Sequence, residues 1–174
     1  MLKIIGIVIA LVIVVLLVVA AMQPDTFRIE RSIAIKAPPE KVQPLISDFR
    51  AWLAWSPWEK KDPAMKRTYG GPERGTGASY AWEGNKDVGS GRMEITDAQP
   101  QKVKIKLMFL MPFETTNTAE FTLTPQGDTT TVNWAMSGQA NYLQKLMCLF
   151  FSMDKLVGPD FEAGLAAMKS AAEK

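Results

Sequence analysis

The sequence predicts an α+β domain behind a transmembrane helix, in the order strand, short helix, about six hairpin-linked strands and a long C-terminal helix. Three observations predict it: an uncharged apolar run at the start, period-2 alternation broken by turn residues through the middle, and helical periodicity at the end.

The run Ile4–Met22 carries no charge, and as a helix it would extend about 28 Å, close to the thickness of a bilayer's hydrocarbon core. Val19-Ala20-Ala21 would suit a signal peptidase, but the apolar part of a cleavable signal is only about 7–15 residues long. Residues 1–22 are therefore read as an uncleaved signal-anchor and residues 23–174 as the domain, with Gln23-Pro24-Asp25 as a short break between them. Counting basic residues alone favours a cytoplasmic domain, since Lys3 precedes the segment and Arg28, Arg31 and Lys36 follow it. Asp25 and Glu30 are interleaved with those arginines, however, and a short basic head before a long apolar core resembles a bacterial signal-anchor. The expectation is a single-pass protein of the bacterial inner membrane with its domain in the periplasm.

In the domain, Phe27, Ile29, Ile33 and Ile35 alternate with Arg28, Glu30, Ser32 and Ala34, as in a strand with one buried face; Arg31 is the exception on the apolar side. Pro38-Pro39-Glu40 starts a helix, and Val42, Leu45, Ile46 and Phe49 follow at helical spacing. Phe49 to Lys60 ends it and holds Trp52, Trp55 and Trp58, three of the chain's five tryptophans. From Met65 to Ser137 strands return, punctuated by turn signals at Gly70-Gly71-Pro72, Gly84-Asn85, Gln99-Pro100, Met111-Pro112 and Pro125-Gln126-Gly127-Asp128. In Lys102–Phe109 the lysines alternate with Val103, Ile105, Leu107 and Phe109, which marks a sheet with one wet face. By the same parity Tyr80 and Trp82, Met93 and Ile95, Phe121, and Trp134 and Met136 face inward.

Beyond Asn141 the pattern is helical, with Leu143, Leu146, Met147 and Phe150, then Phe161, Leu165 and Met168 at three- and four-residue steps. A kink or break is expected at Gly158-Pro159. A one-sided sheet needs a layer on its apolar face, and this helix is the only element long enough to supply it.

Chemistry is restricted by what the chain lacks. It has no histidine, which removes the commonest general base, zinc ligand and serine-activating partner. Its one cysteine, Cys148, excludes an internal disulfide and is expected to be a buried thiol in an apolar helix. With 20 basic and 18 acidic residues there is no nucleic-acid footprint. Gly70 to Gly77 lacks the lysine–hydroxyl ending of a phosphate loop and is followed by a strand, so its glycines read as turn residues. Lys60-Lys61 and Lys66-Arg67 read as solvated loop charge. Polar candidates on the inner face are Arg31, Tyr80 and Tyr69, whereas Glu83, Glu94 and Glu120 fall on the outer parity, so no acid/base pair is expected to converge. No cofactor or metal site is expected.

Three stretches carry a resemblance to a known family: Ile33-Ala34-Ile35-Lys36-Ala37-Pro38-Pro39-Glu40-Lys41-Val42, the Trp55-Ser56-Pro57-Trp58 segment, and Asp154 to Leu165. In this order and spacing the chain resembles the START-like helix-grip superfamily, SRPBCC, which includes pollen-allergen folds, lipid-transfer domains and polyketide cyclase/dehydrase proteins. The resemblance implies a curved seven-stranded antiparallel sheet wrapped around the C-terminal helix, with a cavity between them. The candidate cavity lining is then Trp55 and Trp58; Tyr80, Trp82 and Met93; Ile105, Leu107 and Phe109; Phe121, Trp134 and Met136; and Phe150, Phe161 and Leu165 from the last helix. For Trp55 and Trp58 the alternative is structural filler under the sheet, and for the whole set it is a closed core.

The function expected is a membrane-tethered, non-catalytic module that holds a hydrophobic or lipid-like small molecule. The alternatives are a cyclase/dehydratase-type enzyme with an apolar, polyketide-like substrate, and an interaction domain with a filled core.

Overall fold

The computed structural model describes residues 2–111 and 114–174. The apolar run forms helix α1 (Leu2–Met22), long and apolar enough by length and composition to cross a membrane. Strand β1 (Thr26–Ile35) follows, then α2 (Pro39–Ser47), a 3-10 turn (Ala51–Ala54) and α3 (Pro57–Lys61). Strands β2 (Lys66–Gly70), β3 (Ser79–Glu83), β4 (Ser90–Gln99), β5 (Lys102–Met111), β6 (Thr115–Gln126) and β7 (Thr129–Gln139) lead to α4 (Tyr142–Cys148) and α5 (Met153–Ala172). The strands form one antiparallel sheet in the order β1-β7-β6-β5-β4-β3-β2, curved around α5. This is the seven-stranded α+β architecture expected.

Register defines two ends of the sheet. At one end lie Thr26 opposite Gln139, Asn117 opposite Gly138, Phe109 opposite Thr115 and Ser90 opposite Met111. We call this the α1 end, because α1 enters β1 there. At the far end, Lys36 N–H and Lys169 Nζ both donate to Glu173, and Lys169 Nζ also donates to the Ala34 carbonyl, so α5 crosses the sheet and is pinned to β1 at its C-terminus.

The two halves pack differently. In the far half Ile35, Val42, Ile46, Val103, Leu123 and Met168 are essentially inaccessible and in mutual contact as a solid core. In the half toward α1 the same sheet face carries Leu107, Phe109 and Phe27, which are only half-buried.

Four expectations need correction. The break in the C-terminal helix falls at Leu149–Ser152, not at Gly158-Pro159: α4 begins with a capping box, Asn141 accepting from the Gln144 N–H and Gln144 reaching back to the Asn141 N–H, and α5 runs unbroken through Pro159. Proline there removes one helical hydrogen bond, but packing on both sides keeps the helix continuous: Gly158 lies so close to β1 that an added Cβ would meet the Arg31 guanidinium, and Phe161 is buried one turn on. Cys148 is exposed, because α4 ends there and that side of the helix faces away from the sheet. Phe150, expected inward, is 62% exposed in the turn after α4. Arg67, read as solvated, is a partner of a buried carboxylate. The turn expected at Met111-Pro112 lies partly outside the described residues.

Arg31 does face α5 as its parity requires. It forms ion pairs with Asp154 at 2.8 Å and Glu162 at 2.7 Å, which raise its pKa and hold the Asp154 carboxyl below the usual range. It therefore ties β1 to α5 and contributes no group to the interior.

Candidate functional site

Between the α1 half of the sheet, α3 and α5 lies a cavity of about 340 Å³, a size in the range of small-molecule sites. Sheet and helix are thus not in solid contact throughout. Its walls come from alternate residues of successive strands. Tyr80, Trp82, Met93, Leu107, Phe109, Trp134 and Met136 line it from the sheet, with Trp58 from α3 and Phe161 from α5. These nine belong to the expected lining.

Four others of that set are placed elsewhere: Trp55, Ile105, Phe121 and Leu165 are fully buried in the packed core, beyond the cavity's inner boundary. Phe150, exposed, is also absent from the wall. Inward parity is common to core and wall, and only the distance between sheet and helix at each level separates them. Sequence reading also missed wall residues, among them Phe27, Trp52, Val88, Ala119, Asn117, Met153 and Val157. Phe27 and Ala119 sit on the inward parity already recognised, which was the available signal.

The tryptophan stretch divides its work. Trp52 and Trp55 donate their indole N–H groups to the carbonyls of Ile46 and Leu45, at 3.0 and 2.7 Å, and so fasten the segment to the end of α2. Trp58 turns toward the cavity, edge-on to Trp134 and Phe161. Trp134 is the centre of the inner wall: its ring stacks on Phe161 with centroids 4.0 Å apart and on Phe121 at 5.0 Å. Its indole N–H has no hydrogen-bond partner among the described residues, and Trp55 and Trp58 meet it in T-shaped contacts that suit an N–H over a ring face.

Polar side chains interrupt this lining at Ser56, Thr115, Asn117, Gln144 and Asp160, with the Asn117 Oδ1 buried and without a partner among the described residues, and one buried cluster on the wall is charged. Glu59, on α3, is buried, its side chain 6% exposed; Oε1 accepts from the Tyr80 hydroxyl at 2.8 Å and Oε2 from Arg67 Nε at 2.7 Å. Sequence parity could not find Glu59, because it is on a helix; the signal was its place beside Trp58, in a stretch too apolar to face water. The carboxylate holds the Arg67 pKa up. Desolvation first, then the hydrogen bond to Glu59, pushes the Tyr80 pKa well above that of free tyrosine. Tyr69, which packs on Tyr80, is also raised by burial.

A folded-state pKa raised above the unfolded one stabilises the fold fully below the unfolded value, about pH 10 for tyrosine, and is lost as pH climbs beyond it. Tyr80 is therefore expected to stay protonated until the chain unfolds in alkali. Tyrosinate absorbance measured on the wild type minus that of Tyr80→Phe should contain no ordinary transition near pH 10 in the folded protein; such a transition would show that the phenol is neither buried nor held by Glu59.

Most of the half-buried residues on the wall, namely Gln144 of α4, Met153 and Val157 of α5, Phe27 of β1, and Leu107, Phe109 and Thr115 of β5 and β6, lie at one end, while Trp58 and Asp160 sit where α3 meets α5. The larger group marks the mouth, which thus lies at the α1 end of the sheet. Asp160 of α5 also borders the cavity, and its ion pair with Lys61, at 2.6 Å, joins α3 to α5.

Comparison with known proteins places this architecture in context. Residues 26–173 match the family model described as polyketide cyclase/dehydrase and lipid transport. Among solved structures, a protein from Chromobacterium violaceum aligns over 87% of this chain and 99% of its own, with 14% identity and a TM-score of 0.61. Major latex-like protein 151 of Panax ginseng aligns over 87% and 100%, with 12% identity and a TM-score of 0.58. The di-domain ARO/CYC BexL of the BE-7585A biosynthetic pathway aligns over 90% of this chain but 53% of its own, with 15% identity and a TM-score of 0.62. At these identities the likeness is one of fold. No match was found among curated proteins.

Proposed function

The chain belongs to the polyketide cyclase/dehydrase and lipid transport family, and from that premise we propose that it is a membrane-tethered module that holds a hydrophobic or lipid-like small molecule in its cavity without transforming it. The observation that carries this reading is the wall itself: aromatic, methionine and aliphatic side chains predominate around a ligand-sized space, and both carboxylates on it are already paired, Glu59 with Arg67 and Tyr80 and Asp160 with Lys61. Such a lining favours apolar surface through desolvation, and its methionines adapt to more than one shape. Helix α1 is the tether in this reading, with the domain on the periplasmic side of a bacterial inner membrane; a reporter fused after Lys174 that fluoresces only in the cytoplasm tests the orientation.

Native mass spectrometry of the full chain in mild detergent should reveal a co-purifying apolar molecule, and the delipidated protein should bind an environment-sensitive hydrophobic dye. Val157→Trp, which fills the mouth from a half-buried position on α5, is expected to weaken dye binding about tenfold or more while leaving the circular dichroism unchanged. Unchanged dye affinity in that variant, with no co-purifying molecule, would remove the proposal.

A second reading is favoured by one observation, the Tyr80–Glu59 hydrogen bond on the cavity wall. It is a cyclase/dehydratase-type enzyme in which Tyr80 orients a polyketide-like substrate. Tyr80→Phe would abolish turnover under that reading and leave apolar binding nearly intact under the first.

A further inference from the structure

The outer surface around α4 is unusual for a soluble face. Leu143, Met147, Phe150 and Phe151 are each about half exposed or more, from 49% to 62%, within one short segment. Between Asn141 and Ser152 the only charged residue is Lys145, and it is turned inward, 8% exposed, with its ammonium on the Asp25 carboxylate. The outward surface of this segment therefore carries no charge. Contiguous exposed apolar surface of this kind marks an interaction site.

Its position names the occupant. The last turns of α1 pack directly on α4: the Tyr142 hydroxyl donates to the Leu17 carbonyl at 2.9 Å, and Ala20 is fully buried beneath the contact. The apolar surface of α4 is thus continuous with that of α1. Strand register brings Leu110 and Met111, also exposed, to the same end of the sheet. The cavity mouth opens there too, edged by Gln144, Met153 and Thr115.

We propose that the α4 segment, Tyr142 to Phe151, beds into the lipid surface beside α1, so that the cavity mouth faces the bilayer and the leaflet is the source of the bound molecule. An uncharged surface rich in leucine, methionine and phenylalanine at the end of a spanning helix gains free energy by entering the interfacial zone, and lysine removed from that face removes the main cost. The inference rests on reading α1 as the anchor and the cavity as the ligand site.

Cys148, exposed on α4 and the only cysteine, is a ready probe. The full chain carrying a nitroxide at Cys148 is reconstituted in phosphatidylethanolamine/phosphatidylglycerol vesicles, and its relaxation by oxygen and by a water-soluble nickel chelate is compared. The reference is a nitroxide at Asp128→Cys in a Cys148→Ser background, in the β6–β7 turn at the far end of the sheet. The oxygen-to-nickel ratio is expected to be about fivefold higher at Cys148 than at position 128, and Phe150→Asp with Phe151→Asp should bring it down to the reference value. Equal ratios at the two positions, or a Cys148 ratio unmoved by the aspartates, would overturn the docking. Dipolar broadening between labels on two copies would overturn it too, because a second copy would then cover the face. Dye uptake measured on the same vesicles separates the two proposals: docking without uptake counts against the cavity as ligand site, and uptake without docking against the surface.

Discussion

Trp134→Ala is expected to lower the stability of the domain by about 3–5 kcal/mol, the range for a buried aromatic truncated to alanine. The ring is 3% exposed and lies between Phe161 and Phe121 in parallel stacks, with Trp55 and Trp58 edge-on to it. Gly164 on α5 approaches so closely that an added Cβ would sit 2.9 Å from the indole. Removal of the ring therefore separates β7 from both α3 and α5. The site cannot collapse to compensate, because the existing cavity adjoins it and the two spaces would merge. Urea unfolding followed by circular dichroism should show the loss, and Trp134→Phe should recover much of it by keeping one aromatic ring in the stack. A loss below about 1 kcal/mol for the alanine variant would show that the aromatic cluster does not hold the helix to the sheet.

Glu59→Ala is the second large effect, expected at about 2–4 kcal/mol. Its carboxylate is the acceptor for both Arg67 and Tyr80, so the substitution leaves a guanidinium and a phenol short of partners. The lower part of the range reflects Arg67, whose side chain is 19% exposed and retains backbone acceptors at Met65 and Pro63. The arithmetic of a double-mutant cycle tests the cause. Glu59→Ala combined with Arg67→Met should cost clearly less than the sum of the single changes, because no unpaired charge remains. Additive losses would mean that α3 is held by its tryptophan and not by its carboxylate.

The strands of this fold were legible because their alternation has the period of the backbone itself. Val103, Ile105, Leu107 and Phe109 share a face whatever lies opposite them, since successive side chains leave a strand on opposite sides. Helical periodicity was equally visible at the C-terminus, but its interruption was misplaced. Pro159 attracted the break as the strongest local helix breaker, whereas the chain breaks before Ser152, where α4 must leave α5 to reach α1. Local propensity lost to tertiary contact there. The same reason explains Cys148 and Phe150: their spacing matched a helix facing the sheet, yet the segment faces outward and packs only one side against α1.

The sequence by itself determined which strand residues face inward, the order of the strands and the absence of histidine from the chain, since pattern and composition are local properties. Tertiary structure alone decided which inward residues touch a packed neighbour and which border open space. Ile105 and Leu107 have the same parity two residues apart, yet one is core and the other wall, because α5 lies against the far half of the curved sheet and stands away from the half nearest α1. It also decided that Glu59, Arg67 and Tyr80, from a helix and two strands, meet as one buried cluster. No spacing in the chain encodes that meeting, since it depends on where α3 is pinned beneath the sheet.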